Sequence, residues 1–175
     1  RIQRLTERVS TALTTADVMR VVGEELAGAV AGASAAVYAA RPTDGLLELA
    51  SEFGRQEMCE TDALLPGTLH TEAAALAEEA AATQRLVARA TPAGAPVATC
   101  VALPLGGGRG VVGAVVLELR PARALTSMEQ DLLLAAGRVA AQGITRARLQ
   151  SLREEERRRV ARDLHDDFGQ TLTGL

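Results

Sequence analysis

The chain has no lysine, and every one of its basic side chains is an arginine. That excludes a phosphate-loop lysine, a Schiff-base lysine and the strand lysine of protein kinases. There is no tryptophan, and 175 residues hold only one tyrosine and two phenylalanines. The core must therefore be aliphatic, and a flat ligand would find few rings to stack on. The two cysteines, Cys59 and Cys100, lie far apart without CxxC spacing. This argues against a disulfide framework and for two reduced thiols in a cytoplasmic protein. Net charge is −3, so the chain as a whole has no positive surplus for direct nucleic-acid binding. No apolar run reaches membrane-spanning length and no signal-peptide pattern is present, so no membrane contact is expected within these residues. Both ends fall inside helical patterns, which leaves room for an anchor upstream.

What is present suffices for one domain with a real core plus an appended element. Ile2, Leu5, Val9 and Leu13 follow helical spacing, and Thr14 to Asp17 reads as a break and a fresh helix start. Val18, Val22, Leu26 and Val30 carry a second helix. Ser34 to Ala40 and Leu46 to Ala50 read as a strand pair around the turn Pro42-Thr43-Asp44-Gly45. Glu52 to Gly67 reads as a loop, Thr71 to Ala82 as a helix and Arg85 to Ala90 as a short strand. Val97 to Leu105 is a strong strand interrupted late by Pro104, and Val111 to Leu119 is a second one, rich in β-branched residues. Between them, Gly106-Gly107-Gly108-Arg109-Gly110 lacks the Gly-Lys-Ser/Thr ending of a phosphate loop and reads as a hairpin turn.

From Ser127 to the end the pattern is helical. A helix of more than about 40 residues is too long for a compact domain and predicts a stalk that pairs with a second copy of itself. Arg153 to Arg159 carries no apolar side chain. There, Glu154–Arg158 and Glu155–Arg159 are spaced to hold local helix, each pair contributing about 0.3–0.5 kcal/mol.

The order of elements resembles a GAF domain over roughly residues 5–148. The telling parts are Val101-Ala102-Leu103-Pro104-Leu105, the glycine-rich turn, and Val111-Val112-Gly113-Ala114-Val115-Val116-Leu117. Leu125-Thr126-Ser127-Met128-Glu129 then opens the last helix as such domains commonly do. The resemblance implies an α+β fold: an antiparallel sheet flanked by helices, with the helices on one face and a pocket on the other. It names no ligand.

The last stretch carries chemistry. Val160, Leu164, Phe168, Leu172 and Leu175 step by four, four, four and three, one apolar stripe on a helix. His165 sits about 100° round from Leu164 and so flanks the stripe. Asp166 follows directly, and Gln170 lies one turn after Asp166. The run Glu156-Arg157-Arg158-Arg159-Val160-Ala161-Arg162-Asp163-Leu164-His165-Asp166, with Gln170 and Leu172, fills the pattern E-R-x-R-(I/V)-A-R-(E/D)-L-H-D-x-x-x-Q-x-L without a gap. It closely resembles the H-box of bacterial sensor histidine kinases, in the group that signals to LuxR/NarL-type response regulators.

That resemblance implies a two-component sensor kinase, working as a homodimer, that autophosphorylates on His165 from ATP and Mg²⁺ and passes the phosphoryl group to a response-regulator aspartate. It further implies that Asp166 accepts a hydrogen bond from the imidazole Nδ1–H. Gln170 would orient water for a phosphatase reaction. Residues 1–148 would form the GAF sensor, and 149–175 the signalling helix and the first dimerisation helix. The ATP-binding domain would lie after Leu175, so these residues alone should not autophosphorylate.

The remaining candidates are weaker. Asp167 points about 200° away from His165. Arg158, Arg159 and Arg162 suit either a phosphate or a solvated, ion-paired face, and the latter is favoured. Cys59 is followed by Glu60, not the histidine usual beside bilin-binding cysteines of this fold, and His70 has no second metal ligand at useful spacing. No metal site is expected, and Cys100 reads as a core thiol. The alternative reading is a non-enzymatic ligand-binding and dimerisation module whose His-Asp pair is incidental.

Overall fold

A computed structural model describes residues 2–31, 33–54, 66–90, 98–107 and 110–173, with the side chains of 66–71, 107 and 164–173 outside the description. Helix α1 (Ile2–Thr11) and helix α2 (Thr15–Ala29) are separated at Thr14. Its hydroxyl oxygen accepts from the Asp17 N–H at 3.1 Å and so caps α2, as the Thr-Thr-Ala-Asp run predicts. Arg8 bridges the two helices through Glu24 (2.7 Å) and Glu25 (2.6 Å).

The strands are β1 (Ala33–Ala40), β2 (Leu47–Phe53), β3 (Val87–Ala90), β4 (Thr99–Gly107) and β5 (Gly110–Leu119). They form one sheet in the order β2-β1-β5-β4-β3, with every neighbouring pair antiparallel. Helix α3 (Pro66–Thr83) precedes β3, and helix α4 (Ser127–Thr173) ends the described chain. This is the expected α+β architecture of a sheet flanked by helices.

Strand alternation divides the sheet into two faces. Ala35, Val37, Val101, Leu103, Leu105, Val115, Leu117 and Leu119 point to one face, where they meet Val18, Val22 and Leu26 of α2, Leu5 and Val9 of α1, and Leu133, Ala136, Ala140 and Ile144 of α4. Tyr38, Ala102, Ala114 and Val116 point to the other, against Leu76, Ala77 and Ala80 of α3. That second contact is made largely of alanine, so α3 lies close over β4 and β5. The face assigned a pocket by resemblance thus carries a helix of its own.

The elements differ from the sequence reading in several places. β2 continues to Phe53, because its outer end still pairs with Ala35 of β1. α3 starts at Pro66, five positions before Thr71, since proline at a first helical position loses no hydrogen bond. β4 runs through Pro104, which sits beyond the last β3 pair, Val87 with Ala102, where β4 is open on that side. Gly113 is required by its neighbour strand: a Cβ there would lie 2.4 Å from the Tyr38 carbonyl oxygen.

The start of α4 explains the Leu-Thr-Ser-Met-Glu run. Thr126 Oγ1 accepts from the Glu129 N–H at 3.2 Å, and the Glu129 carboxylate accepts from the Thr126 N–H at 2.9 Å, a reciprocal cap. Arg123 grips the same carboxylate with both Nη atoms, at 2.8 and 2.6 Å. The Arg123 guanidinium and the Thr126 N–H hold the Glu129 carboxyl at about 2, against an ordinary 4.5. Glu129→Gln should therefore lower unfolding free energy by about 1 kcal/mol at neutral pH, the pair being near solvent. Because the folded-state pKa is depressed, the wild-type advantage is full above about 4.5 and fades as pH falls toward about 2. Urea unfolding of both proteins at pH 7 and pH 2.5 checks this, with convergence at the lower pH expected.

Candidate functional site

α4 packs against the sheet and α1 as far as Ala147, its last buried residue, and from Leu149 to Asp163 every side chain is exposed. Leu149, Leu152 and Val160 stand out there as exposed apolar side chains. On that exposed stretch Arg158 pairs with Glu154 at 3.3 Å, as the spacing predicts. Arg159 takes Glu156 at 2.8 Å in place of the expected Glu155, since a residue three positions back on a helix is as close as one four back. Arg162 Nε donates to the Arg158 carbonyl. These arginines thus sit on a solvated face, two of them in ion pairs.

His165, Asp166 and Gln170 all belong to the same unbroken helix α4. Its period sets Asp166 next to His165 round the helix and Gln170 one turn beyond Asp166 on the same side. Their side chains, and that of Asp167, lie outside the described residues. His70 falls on α3 with its side chain likewise outside, and Cys59 lies wholly outside. Among the described residues no group of three or more His, Cys, Asp and Glu is placed to hold a metal. The chain's Gly106–Gly110 run spans β4 and β5, with Gly107 paired to Gly110, so it is a hairpin and not a phosphate loop.

Under α3, Cys100 is a partly buried free thiol whose pKa burial pushes up to about 11, with Glu118 adding to the shift. It is therefore a protonated packing group at neutral pH. Tyr38 was not singled out by sequence reasoning. Its hydroxyl is buried without a hydrogen-bond partner among the described residues, and burial raises its pKa. Tyr38→Phe should raise unfolding free energy by about 1 kcal/mol, since an unsatisfied buried hydroxyl is removed and the ring is kept. Urea denaturation measures it, and a loss of stability would mean that the hydroxyl has an acceptor.

Two further residues join the exposed helix to the fold. Arg146 Nη2 donates to the carbonyls of Val9 (2.6 Å) and Ala12 (3.1 Å), satisfying the end of α1. Arg148 Nη2 donates to the Ala40 carbonyl at the end of β1 (2.5 Å) and, more weakly, to Val112 of β5 (3.4 Å). One helical turn of α4 is thereby tied to both α1 and the sheet just before the helix leaves the domain. Their acceptors are backbone groups far away in sequence, so no motif announces them.

Residues 156–175 match the histidine kinase family model HisKA_3. No curated protein matches the chain. The fold is similar to the GAF domain of a phosphoenolpyruvate-protein phosphotransferase from Acinetobacter, with TM-score 0.63 and 11% identity over 85% of this chain and 92% of that one. It is also similar to the GAF domain of the potassium sensor histidine kinase KdpD from Escherichia coli, with TM-score 0.59 and 19% identity over 86% and 95%. A third likeness is a GAF domain/HD domain protein from Geobacter sulfurreducens, with TM-score 0.56 and 16% identity over 85% and 99%. Among the described residues no helix is long and apolar enough to cross a membrane. The chain joins a GAF fold, through one uninterrupted helix, to a segment of histidine-kinase type.

Proposed function

We propose that this chain is the input and phosphoacceptor part of a cytoplasmic two-component sensor histidine kinase that acts as a homodimer. The observation that carries the reading is continuity: the helix that packs on the GAF sheet is the same helix that bears the kinase-type segment. The division we propose puts the sensor at residues 1–148 and the signalling and acceptor helix at 149–175.

In this reading ATP is a substrate brought by another part of the protein, together with Mg²⁺. The described residues carry neither of two common phosphate-cradling devices, a lysine or a strand-to-helix glycine loop. Neutral imidazole at His165 has a nucleophilic nitrogen near neutral pH, because its unperturbed pKa is about 6.5. Nε2 attacks the γ-phosphorus in line, an N–P bond forms, the P–O bond to ADP breaks, and ADP leaves. Asp166 accepts from Nδ1–H, which fixes the tautomer and stabilises the positive charge that develops on the ring. The phosphoryl group then passes to an aspartate of a LuxR/NarL-type response regulator, and Gln170 orients water for its later removal.

The test is incubation of the native protein with labelled ATP and Mg²⁺. Acid-labile label is expected, as for a phosphoramidate. Acid-stable label, or its absence from a folded dimer under every ligand condition tried, overturns the reading in favour of a binding and dimerisation module.

A further inference from the structure

From Leu132 to Arg153 the chain contains no acidic residue and four arginines, at 138, 146, 148 and 153. All four line one open groove of about 780 Å³ between α4 and the hairpin end of β4 and β5. Elsewhere the arginines of the fold are mostly paired: Arg4, Arg8, Arg20, Arg41, Arg89, Arg120 and Arg123 each hold a carboxylate. Among the described residues no carboxylate pairs with any of the four in the groove. Arg146 and Arg148 donate only to neutral carbonyls, which leaves their charges uncompensated. Arg146 also keeps its Nε buried with no acceptor. A chain of net charge −3 thus gathers four unpaired cations on one face of one helix.

We propose that this groove is a binding site for a small amphiphilic organic anion, distinct from any pocket under α3. The charge selects an anion, because guanidinium to carboxylate, sulfonate or phosphate is among the stronger hydrogen bonds available. Val112 and Leu149 in the same lining select an apolar body attached to it. The volume is that of a small-molecule site. The ligand bridges Arg148, which is held to the sheet, and Arg153, which is on the exposed helix. Its binding therefore stiffens the first free turn of that helix. The inference stands on this geometry and does not depend on phosphorylation of His165.

The probe is 8-anilinonaphthalene-1-sulfonate, titrated by fluorescence into the whole chain, with uncharged N-phenyl-1-naphthylamine as comparator. Arg138→Gln with Arg153→Gln removes two cations that make no hydrogen bond within the described fold, so folding is kept, and circular dichroism verifies it. The double variant is expected to bind the sulfonate about tenfold more weakly or worse, with the neutral comparator unchanged. Arg4→Gln with Arg20→Gln, two cations of α1 and α2 that do not line the groove, should leave sulfonate binding as in wild type. Hydrogen exchange of the amides at 149–153 should slow when the sulfonate is bound to wild type. Equal sulfonate affinity of wild type and the Arg138/Arg153 variant, wild-type affinity for the neutral comparator as high as for the sulfonate, or no sulfonate binding at all overturns the proposal.

Discussion

His165→Ala should abolish acid-labile phosphorylation of the native protein entirely, while leaving helicity and thermal stability unchanged. The two halves of the expectation rest on different grounds. Loss of label follows because His165 is the one histidine of residues 156–175, and an acid-labile phosphoramidate needs a ring nitrogen. Unchanged stability follows from position. The helix before it is solvent-exposed from Leu149 to Asp163, so no core depends on it, and alanine is the better helix former. His165→Gln provides a second variant of similar size, with the same result expected. Label that persists in either variant would move the acceptor elsewhere. Asp166→Asn should fall between these extremes, because it keeps the nucleophile and removes only the charge that steadies it.

The second large effect is on communication. Gly-Pro placed at Leu149-Gln150 should leave the sensor fold intact and disconnect it from His165. Proline inside a helix costs about 3 kcal/mol, and among the described residues no side chain beyond Leu149 is buried to offset the break. The sensor can be perturbed without knowing its ligand. A Cβ at Gly143 would lie 2.4 Å from Val9 Cγ1, so Gly143→Leu must push α1 away from α4. With the rod intact, Gly143→Leu should change the phosphorylation rate at least about fivefold, in the range of ordinary allosteric coupling. With Gly-Pro in place the same substitution should change nothing. An equal response in both backgrounds would show that the signal does not travel along the helix.

Much of this arrangement was legible because it is written in local chemistry. Thr14 and Thr126 announce helix starts through side chains that reach only three residues ahead. The alternation of Val115, Leu117 and Leu119 with Ala114, Val116 and Glu118 announces a strand packed on both faces. The order of the strands is not local, and likeness to a known fold implied only that the sheet is antiparallel. Pro104 reads as a late interruption of its strand because proline cannot donate to a ladder, and only the short β3 beside it explains why it is tolerated. Arg146 and Arg148 were invisible for a related reason: their acceptors at Val9, Ala12, Ala40 and Val112 are carbonyls that any residue could supply. The acceptor segment was legible as a helix with a dense motif, and the helix is present. The side-chain geometry of His165, Asp166 and Gln170 lies outside the described residues.

Past the groove at Arg153, the course of α4 to Asp163 is exposed and no hydrogen bond or ion pair ties it to another element among the described residues, so nothing described there sets its length. What the proposed coupling must conserve is phase. From Arg148 to His165 the helix rises about 25 Å, and each residue added or removed turns His165 by about 100° relative to the sheet. Removing seven residues would draw the histidine about 10 Å closer and turn it by only about 20°. Related proteins are thus free to lengthen or shorten this stalk in steps of seven, like a shaft cut to size between two fixed couplings, whereas a single-residue change would leave the histidine facing the wrong way.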